Sequence, residues 1–246
     1  MLLCRVPLIV YWPYPLPGNY NLKSLLTQAY YICLHMKTIS RLISYIFYPL
    51  LFPTYGTLLI LGLNPNMFGY FGERLHFVWL IIVFALTFIF PAVWMLMMKG
   101  LGMIDSLHME TSRERIVPFV AGITFYLWTT WMFKANVHMK IPANQLIFYM
   151  MLGACISVSI AFFMNIFTMV SLHTLGAGSI LGLVLILVRF STFDLRLLFV
   201  AAIILAGIIG TARLILKAHT ELEVISGYFI GFAGQFLAFS VISKFL

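Results

Sequence analysis

Residues 197–223 read LLFVAAIILAGIIGTARLILKAHTELE, an apolar run that ends in an arginine, a histidine and a glutamate before the next apolar run begins. An ionisable side chain at membrane depth costs on the order of 3 kcal/mol, so such residues are retained where they pair or act on a ligand. Arg213, His219 and Glu223 stand at the junction of two apolar segments. The stretch therefore predicts a membrane helix with a candidate functional site at its end.

The composition of the whole chain is that of a membrane protein. Of its 246 residues, 63% are hydrophobic and 9% are charged, whereas soluble domains carry about 25% charged residues. We therefore predict an all-α fold, a polytopic transmembrane helical bundle with about six or seven spans. The net charge is +8, but the basic residues are scattered singly along the chain. This distribution is typical of membrane-flanking anchors and predicts no nucleic-acid partner.

The apolar runs divide the chain into candidate spans, each of about 20 residues. Their approximate ranges are 42–63, 77–98, 118–133, 144–169, 173–190, 197–216 and 222–243. Pro49 and Pro53 predict a kink in the first span. If one of the spans does not cross the membrane fully, we expect it to be the third, because it is short. Lysine and arginine divide almost evenly between the two faces, so the sequence predicts no orientation.

Residues 1–35 differ from the rest of the chain, because four prolines interrupt any helix there: Pro7, Pro13, Pro15 and Pro17. One interpretation is a mistaken upstream extension before a natural start at Met36. The other is a flexible or interfacial N-terminal arm. Both interpretations stay open, and residues 36–246 form the predicted transmembrane domain.

The residues around Arg213 have the spacing that phosphate chemistry needs. His219 and Glu223 are four residues apart, so a helix places them on nearly one face, where the carboxylate can hold one imidazole tautomer. The planar fork of Arg213 suits bidentate phosphate binding. Ser171 and His173 open the fifth span, where free helix N–H groups favour an anion. Together these residues predict a phosphate site.

These motifs resemble those of the type 2 phosphatidic acid phosphatase superfamily, helical lipid phosphatases related to acid phosphatases and vanadium haloperoxidases. The third motif of that family is Ser-Arg, five residues, His, three residues and Asp. Here Ala212-Arg213, five residues, His219, three residues and Glu223 keep the arginine and the histidine. The resemblance covers roughly residues 105–240.

The second family motif, Pro-Ser-Gly-His, corresponds to Val170-Ser171-Leu172-His173. The first motif, Lys, six residues and Arg-Pro, has two candidates. Lys134 with Ile141-Pro142 has the spacing but falls on the opposite side of the membrane from the histidines in a seven-span count. Arg113-Glu114-Arg115 before Pro118 falls on the same side. We favour Arg113 and Arg115 for this reason.

The resemblance implies a lipid-phosphate or lipid-diphosphate phosphatase in which His219 attacks phosphorus to form a phosphohistidine. Glu223 would orient His219, and His173 would protonate the leaving oxygen. Four side chains would bind phosphate oxygens: Arg213, Ser171, Arg113 and Arg115. No metal or other cofactor is implied. The substrate tail would stay among the membrane lipids, and the expected location is a bacterial inner membrane.

A simpler interpretation exists for each residue. Thr220-Glu221-Leu222-Glu223 fits a capping box, Arg213 fits a boundary anchor, and His173 fits an interhelical hydrogen bond. On these interpretations the chain is a non-enzymatic membrane transporter or scaffold protein, and a degenerate phosphatase without catalysis is intermediate. The other histidines are dispersed and predict no metal site: His35, His76, His108 and His138.

Overall fold

The computed structural model describes residues 22–63, 73–102, 116–136, 142–190 and 194–240. Over these ranges the chain is helical and contains no strand, which confirms the predicted all-α fold. The helices are α1 Leu22–Ile46, α2 Phe52–Leu63, α3 Glu73–Phe84, α4 Phe90–Gly100, α5 Ile116–Asn136, α6 Pro142–Met164, α7 Leu172–Phe190, α8 Arg196–Ile215 and α9 Glu221–Ser240. Helix α1 continues through Met36 without a break.

Seven helical segments in the described ranges are long and apolar enough to cross a membrane, so the protein is an integral, multi-pass membrane protein. Helices α1 and α2 together provide the first segment, and α3 and α4 the second. The segment predicted to be short is α5, whose 21 residues make a helix roughly 31 Å long. That length is sufficient for a full crossing.

Helix α6 is shorter than the predicted span 144–169, because it ends at Met164. The Met164 carbonyl accepts from the N–H groups of the turn residues Phe167 and Thr168.

Two prolines set the shape of the first two segments. Tyr48 has extended backbone angles, as a residue before proline prefers, and a 3₁₀ turn Pro49–Leu51 follows. The predicted kink is thus a complete break between α1 and α2. Helices α3 and α4 are joined by a π-helical turn, Ala85–Ile89. Pro91 follows this turn and has no N–H group to continue an α-helical ladder, which accounts for the irregularity.

Helices α7 and α9 form the tightest contact in the described part of the bundle. A side chain at Gly178 would overlap the backbone carbonyl of Tyr228, and one at Gly231 would overlap the carbonyl of Leu175. Small residues at such positions allow two helix backbones to approach closely in a membrane. Gly178 of α7 and Gly231 of α9 therefore serve helix packing.

Buried polar side chains tie α9 to its neighbours. The Gln235 amide Nε2 donates to the carbonyl of Met150 on α6 at 3.0 Å, and Ser179 Oγ on α7 donates to the carbonyl of Gly231 at 3.3 Å. Ser157 Oγ on α6 bonds the carbonyl of Gly153 in its own helix at 2.8 Å. Because water is absent at this depth, each bond satisfies a group that would otherwise be costly to bury.

The outward faces of the outer helices are apolar. On α8, Leu197 and Ile204 are 81% and 60% exposed, and on α9 Phe229 is 73% exposed. Exposed side chains of this type are compatible with lipid and not with water when they form a continuous face. Helix α8 is thus largely a lipid-facing helix, and its functional contribution is confined to its C-terminal end.

We expect Gly231→Ala to lower the free energy of unfolding by about 1–3 kcal/mol, because the new methyl group has no space between α9 and α7. Thermal unfolding of the protein in detergent measures this change. Gly207→Ala on α8 is the matched control, since no atom lies within 4 Å of the added methyl group. The control gains helix propensity and stays equal or becomes more stable by up to about 1 kcal/mol. Equal losses at both positions would contradict the packing explanation.

Candidate functional site

A cavity of about 720 Å³ lies among the helices, and three of the predicted site residues line it. Its lining includes His173, Arg213 and His219, which come from α7, from α8 and from the connection between α8 and α9. Arg41 of α1 also lines it, and none of the described lining residues is an aspartate or a glutamate. The polar end of the cavity is therefore electropositive and suits an anion.

His219 is held by Glu223 in the orientation that the sequence predicts. Its Nδ1 lies 2.8 Å from Glu223 Oε2, and the two side chains are 6% and 14% exposed. A carboxylate accepts hydrogen bonds only, so Nδ1 carries the hydrogen, and in the neutral ring Nε2 is then the acceptor nitrogen. An imidazole in this tautomer presents a nucleophilic nitrogen.

The same carboxylate also closes a capping box at the start of α9. Glu223 Oε2 accepts from the Thr220 N–H at 3.3 Å, and Thr220 Oγ1 accepts from the Glu223 N–H at 3.4 Å. The two interpretations of Glu223, helix cap and histidine orienter, are thus both present in the structure. Oε2 accepts from both His219 and Thr220, so neither role excludes the other.

The spacing between Arg213 and His219 follows from the way in which α8 ends. The Ala218 N–H donates to the Arg213 carbonyl at 3.2 Å, and the Lys217 N–H donates to the Leu214 carbonyl at 3.0 Å, which together form a Schellman turn. Lys217 occupies the left-handed position of this turn, with φ 53°. The turn reverses the chain within three residues, so His219 returns to the cavity beside the arginine of the preceding helix.

His173 and Arg213 are both attached to one residue of α1. His173 Nε2 donates to the Ser44 carbonyl at 3.1 Å, and Arg213 Nη1 donates to Ser44 Oγ at 3.1 Å. The ring of Tyr48 packs edge-on against the His173 ring, with centroids 6.4 Å apart. His173 also lies within electrostatic range of Arg213 and His219. Ser44 therefore fixes the acid candidate and the phosphate-binding arginine relative to one another.

Ser171 takes a structural position behind the cavity wall. Its side chain is fully buried, and it is not among the described lining residues. Its N–H donates to the Glu223 carbonyl at 3.2 Å, and its own carbonyl accepts from the Thr174 hydroxyl at 3.1 Å. Ser171 thus links the start of α7 to the start of α9. A direct role in phosphate binding stays a prediction.

The two arginines of the favoured first motif, Arg113 and Arg115, lie outside the described residues. Pro118 and Phe119, which follow them in α5, line the cavity. The alternative motif begins at Lys134, 16 residues beyond Pro118 and so roughly 24 Å along the helix. Lys134 therefore lies at the end of α5 that is remote from His173 and His219.

Sequence reasoning missed the contribution of α1 and of the break after it. In the sequence, Arg41 is one of the scattered basic residues that are typical of membrane anchors, and Ser44 and Tyr48 belong to no motif. The one available signal is the proline kink, which predicts an irregular backbone but does not say what packs against it.

Among the described residues, no group of three or more His, Cys, Asp or Glu side chains lies close enough to hold a metal ion.

Comparisons with protein-family models, with curated proteins and with solved structures find no match to this chain. The relation to the phosphatase superfamily accordingly rests on the residues of the two motifs. It stays a prediction.

We expect Lys217→Gly to raise the free energy of unfolding by about 0.5–1 kcal/mol, because glycine adopts a positive φ without the steric cost that a Cβ atom carries. Thermal unfolding in detergent measures the change. Lys134→Gly removes the same side chain from a right-handed helix and should lower stability by up to about 1 kcal/mol. A gain at both positions would mean that removal of positive charge, and not backbone geometry, is responsible.

Proposed function

We propose that this protein is a membrane-embedded phosphatase that hydrolyses a phosphate or diphosphate joined to a lipid tail. The observation that carries this proposal is the convergence of two arginines and two histidines at one end of a largely apolar cavity. These residues are Arg41, Arg213, His173 and His219, and no described lining residue is a carboxylate. A phosphate with an apolar tail has the complementary charge and polarity.

Arg213 and Arg41 would bind the non-bridging oxygens of the phosphate. A guanidinium forms short, charge-assisted hydrogen bonds to such oxygens. The Arg213 side chain is positioned at the cavity by the hydrogen bond from its Nη1 to Ser44 Oγ. Arg113 and Arg115 would add further positive charge where charge accumulates in the transition state.

His219 would be the nucleophile. Its Nε2 lone pair forms a bond to phosphorus while the bond from phosphorus to the lipid oxygen breaks, and that oxygen leaves with the electron pair. The imidazole becomes positively charged, and the Glu223 carboxylate 2.8 Å from Nδ1 stabilises this charge. Water then attacks the phosphohistidine, the P–N bond breaks, and inorganic phosphate is released with His219 restored.

His173 would supply the proton that the leaving oxygen takes up. Its Nε2–H is engaged by the Ser44 carbonyl, so the proton for the leaving group would come from Nδ1. The ring would carry that second proton only with the substrate bound, because the negative phosphate offsets the positive charge of the neighbouring Arg213. In the second step the same nitrogen takes a proton from the attacking water. A positioned acid of this kind contributes about 10²–10⁴-fold to a rate.

A non-catalytic protein that binds a lipid phosphate is the second candidate. The fully buried Ser171 and the alanine at position 212, where the superfamily motif has serine, both favour it. The two candidates share the site and differ only in turnover. For either, lipid metabolism in a bacterial inner membrane is the proposed setting.

We expect His219→Ala to abolish phosphate release, because no other described residue at the cavity mouth has its nucleophilic nitrogen oriented by a carboxylate. Phosphate release is measured from reconstituted protein with lipid monophosphates and diphosphates. His35→Ala, an exposed histidine on α1, is the matched control and should retain the parent rate. Absence of release by the unmutated protein on every substrate would refute the enzyme and leave the binding protein.

Glu223→Gln separates the two roles of that carboxylate. Glutamine also closes a capping box, so the unfolding temperature should stay near that of the parent. It lacks the charge that stabilises the imidazolium, so kcat should fall by about 10²-fold or more. A loss of stability with unchanged kcat would assign Glu223 to the cap alone.

We expect His173→Ala to slow hydrolysis of a lipid phosphate by about 10²–10⁴-fold but to slow hydrolysis of p-nitrophenyl phosphate much less. The nitrophenolate leaves without protonation, whereas a lipid alkoxide does not. Steady-state kcat for both substrates is the measurement. Ser44→Ala keeps the carbonyl bonded to His173 but removes the hydroxyl bonded to Arg213, so it should slow both substrates by a similar factor. Equal losses on both substrates would show that His173 supports the site and does not act as the acid.

A further inference from the structure

The cavity extends from the site deep into the bundle. Along α7 its lining runs from Leu172 to Leu183, which is roughly 16 Å at the helical rise of 1.5 Å per residue. The hydrocarbon layer of a bilayer is about 30 Å thick, so this depth is about half of it. The far end lies at Gln235 of α9 and Met150 of α6, opposite the end that holds the histidines.

The deep part of the cavity is lined by side chains that suit a hydrocarbon. Met150, Ala154, Ile180 and Leu183 contribute apolar surface. Gln235 is the polar exception at the far end: its Nε2 donates to the Met150 carbonyl, and its Oε1 is buried with no hydrogen-bond partner among the described residues. The charged residues of the described lining are confined to the mouth. An amphiphile that places its anionic group at the mouth would therefore have its tail in apolar surroundings inside the protein.

The size of the cavity limits the tail that it can hold. A volume of about 720 Å³ corresponds to roughly two dozen water-sized groups at about 30 Å³ each. An extended chain advances roughly 1.2 Å per bond, so a depth of roughly 16 Å takes about a dozen carbons. One such chain with its phosphate fits this volume. Two chains of sixteen carbons do not.

We infer that the substrate is a phosphate on a single hydrocarbon chain of about a dozen carbons, and that this chain is bound within the helical bundle. The assignment of a phosphate head group to this substrate rests on the proposed function. The placement of the tail differs from the expectation that it stays among the membrane lipids. The tail site is formed by α5, α6, α7 and α9, and the charged mouth selects the phosphate.

Photo-crosslinking in lipid nanodiscs tests the placement of the tail without relying on catalysis. The probe is dodecyl phosphonate with a diazirine at the end of the tail, which the enzyme cannot hydrolyse because it has a P–C bond. Peptide mass spectrometry locates the label. We expect it on the residues of the deep cavity: Met150, Ala154, Ile180, Leu183 and Gln235. Labelling confined to lipid-facing residues such as Ile203 and Ile204 of α8 would overturn the inference.

The matching dodecanol probe distinguishes the two proposals. Deep labelling that needs the phosphonate supports both the tail site and the anion site. Equal deep labelling by the alcohol supports the tail site and counts against the proposed phosphate site. Release of phosphate from dodecyl phosphate together with only lipid-facing labelling supports the phosphatase and overturns the tail site.

Competition and one cavity-filling variant test the size limit. Unlabelled dodecyl phosphonate should displace the probe at a mole fraction at least tenfold lower than dihexadecanoyl phosphatidic acid does, and equal potency would overturn the single-chain assignment. Ala154→Phe should reduce deep labelling at least tenfold, whereas Ala201→Phe on the exposed face of α8 should change it less than twofold. If Ala154→Phe does not fold, labelling and competition in the unmutated protein still decide the matter.

Discussion

The close approach of α7 and α9 is the constraint on which the site depends. Glycine at positions 178 and 231 allows the two backbones to meet, and the Ser171 N–H bonds the Glu223 carbonyl where both helices begin. His173 follows Ser171 by two residues, and His219 precedes the first residue of α9 by two. A wider separation of the helices would move one histidine away from the other, so packing and chemistry are set by the same contact.

The first segment completes the site from the other side. The break at Pro49 ends α1 beside the cavity, and Ser44 near that end bonds both His173 and Arg213. One residue that accepts through its carbonyl and through its hydroxyl thus attaches an imidazole and a guanidinium that belong to different helices. Such a shared partner limits the rotamers of both groups, which reduces the ordering that a bound phosphate would have to impose.

Much of the architecture could be predicted from the sequence because helices in a membrane satisfy their own backbone groups and must be apolar over about 20 residues. The limits of α8 and α9 differ from the predicted spans by only a few residues, because Arg196 and Glu221 interrupt the apolar runs there. The end of α6 was less predictable. Ile166 and Phe167 prolong the apolar run beyond Met164, although the backbone has already turned.

The site was predictable in part. The sequence by itself determined the pairing of His219 with Glu223, since both lie within one helix start and a separation of four residues brings them together. The spacing from Arg213 to His219 is likewise a property of the chain, and the Schellman turn between them is a local feature of the helix end. Only the tertiary structure decided that Arg41 and Ser44 of α1 join His173, and that the cavity reaches Gln235. Ser44 and His173 are 129 positions apart, and Met150 and Gln235 are 85 apart. No local rule of spacing or periodicity specifies which helix faces meet over such separations.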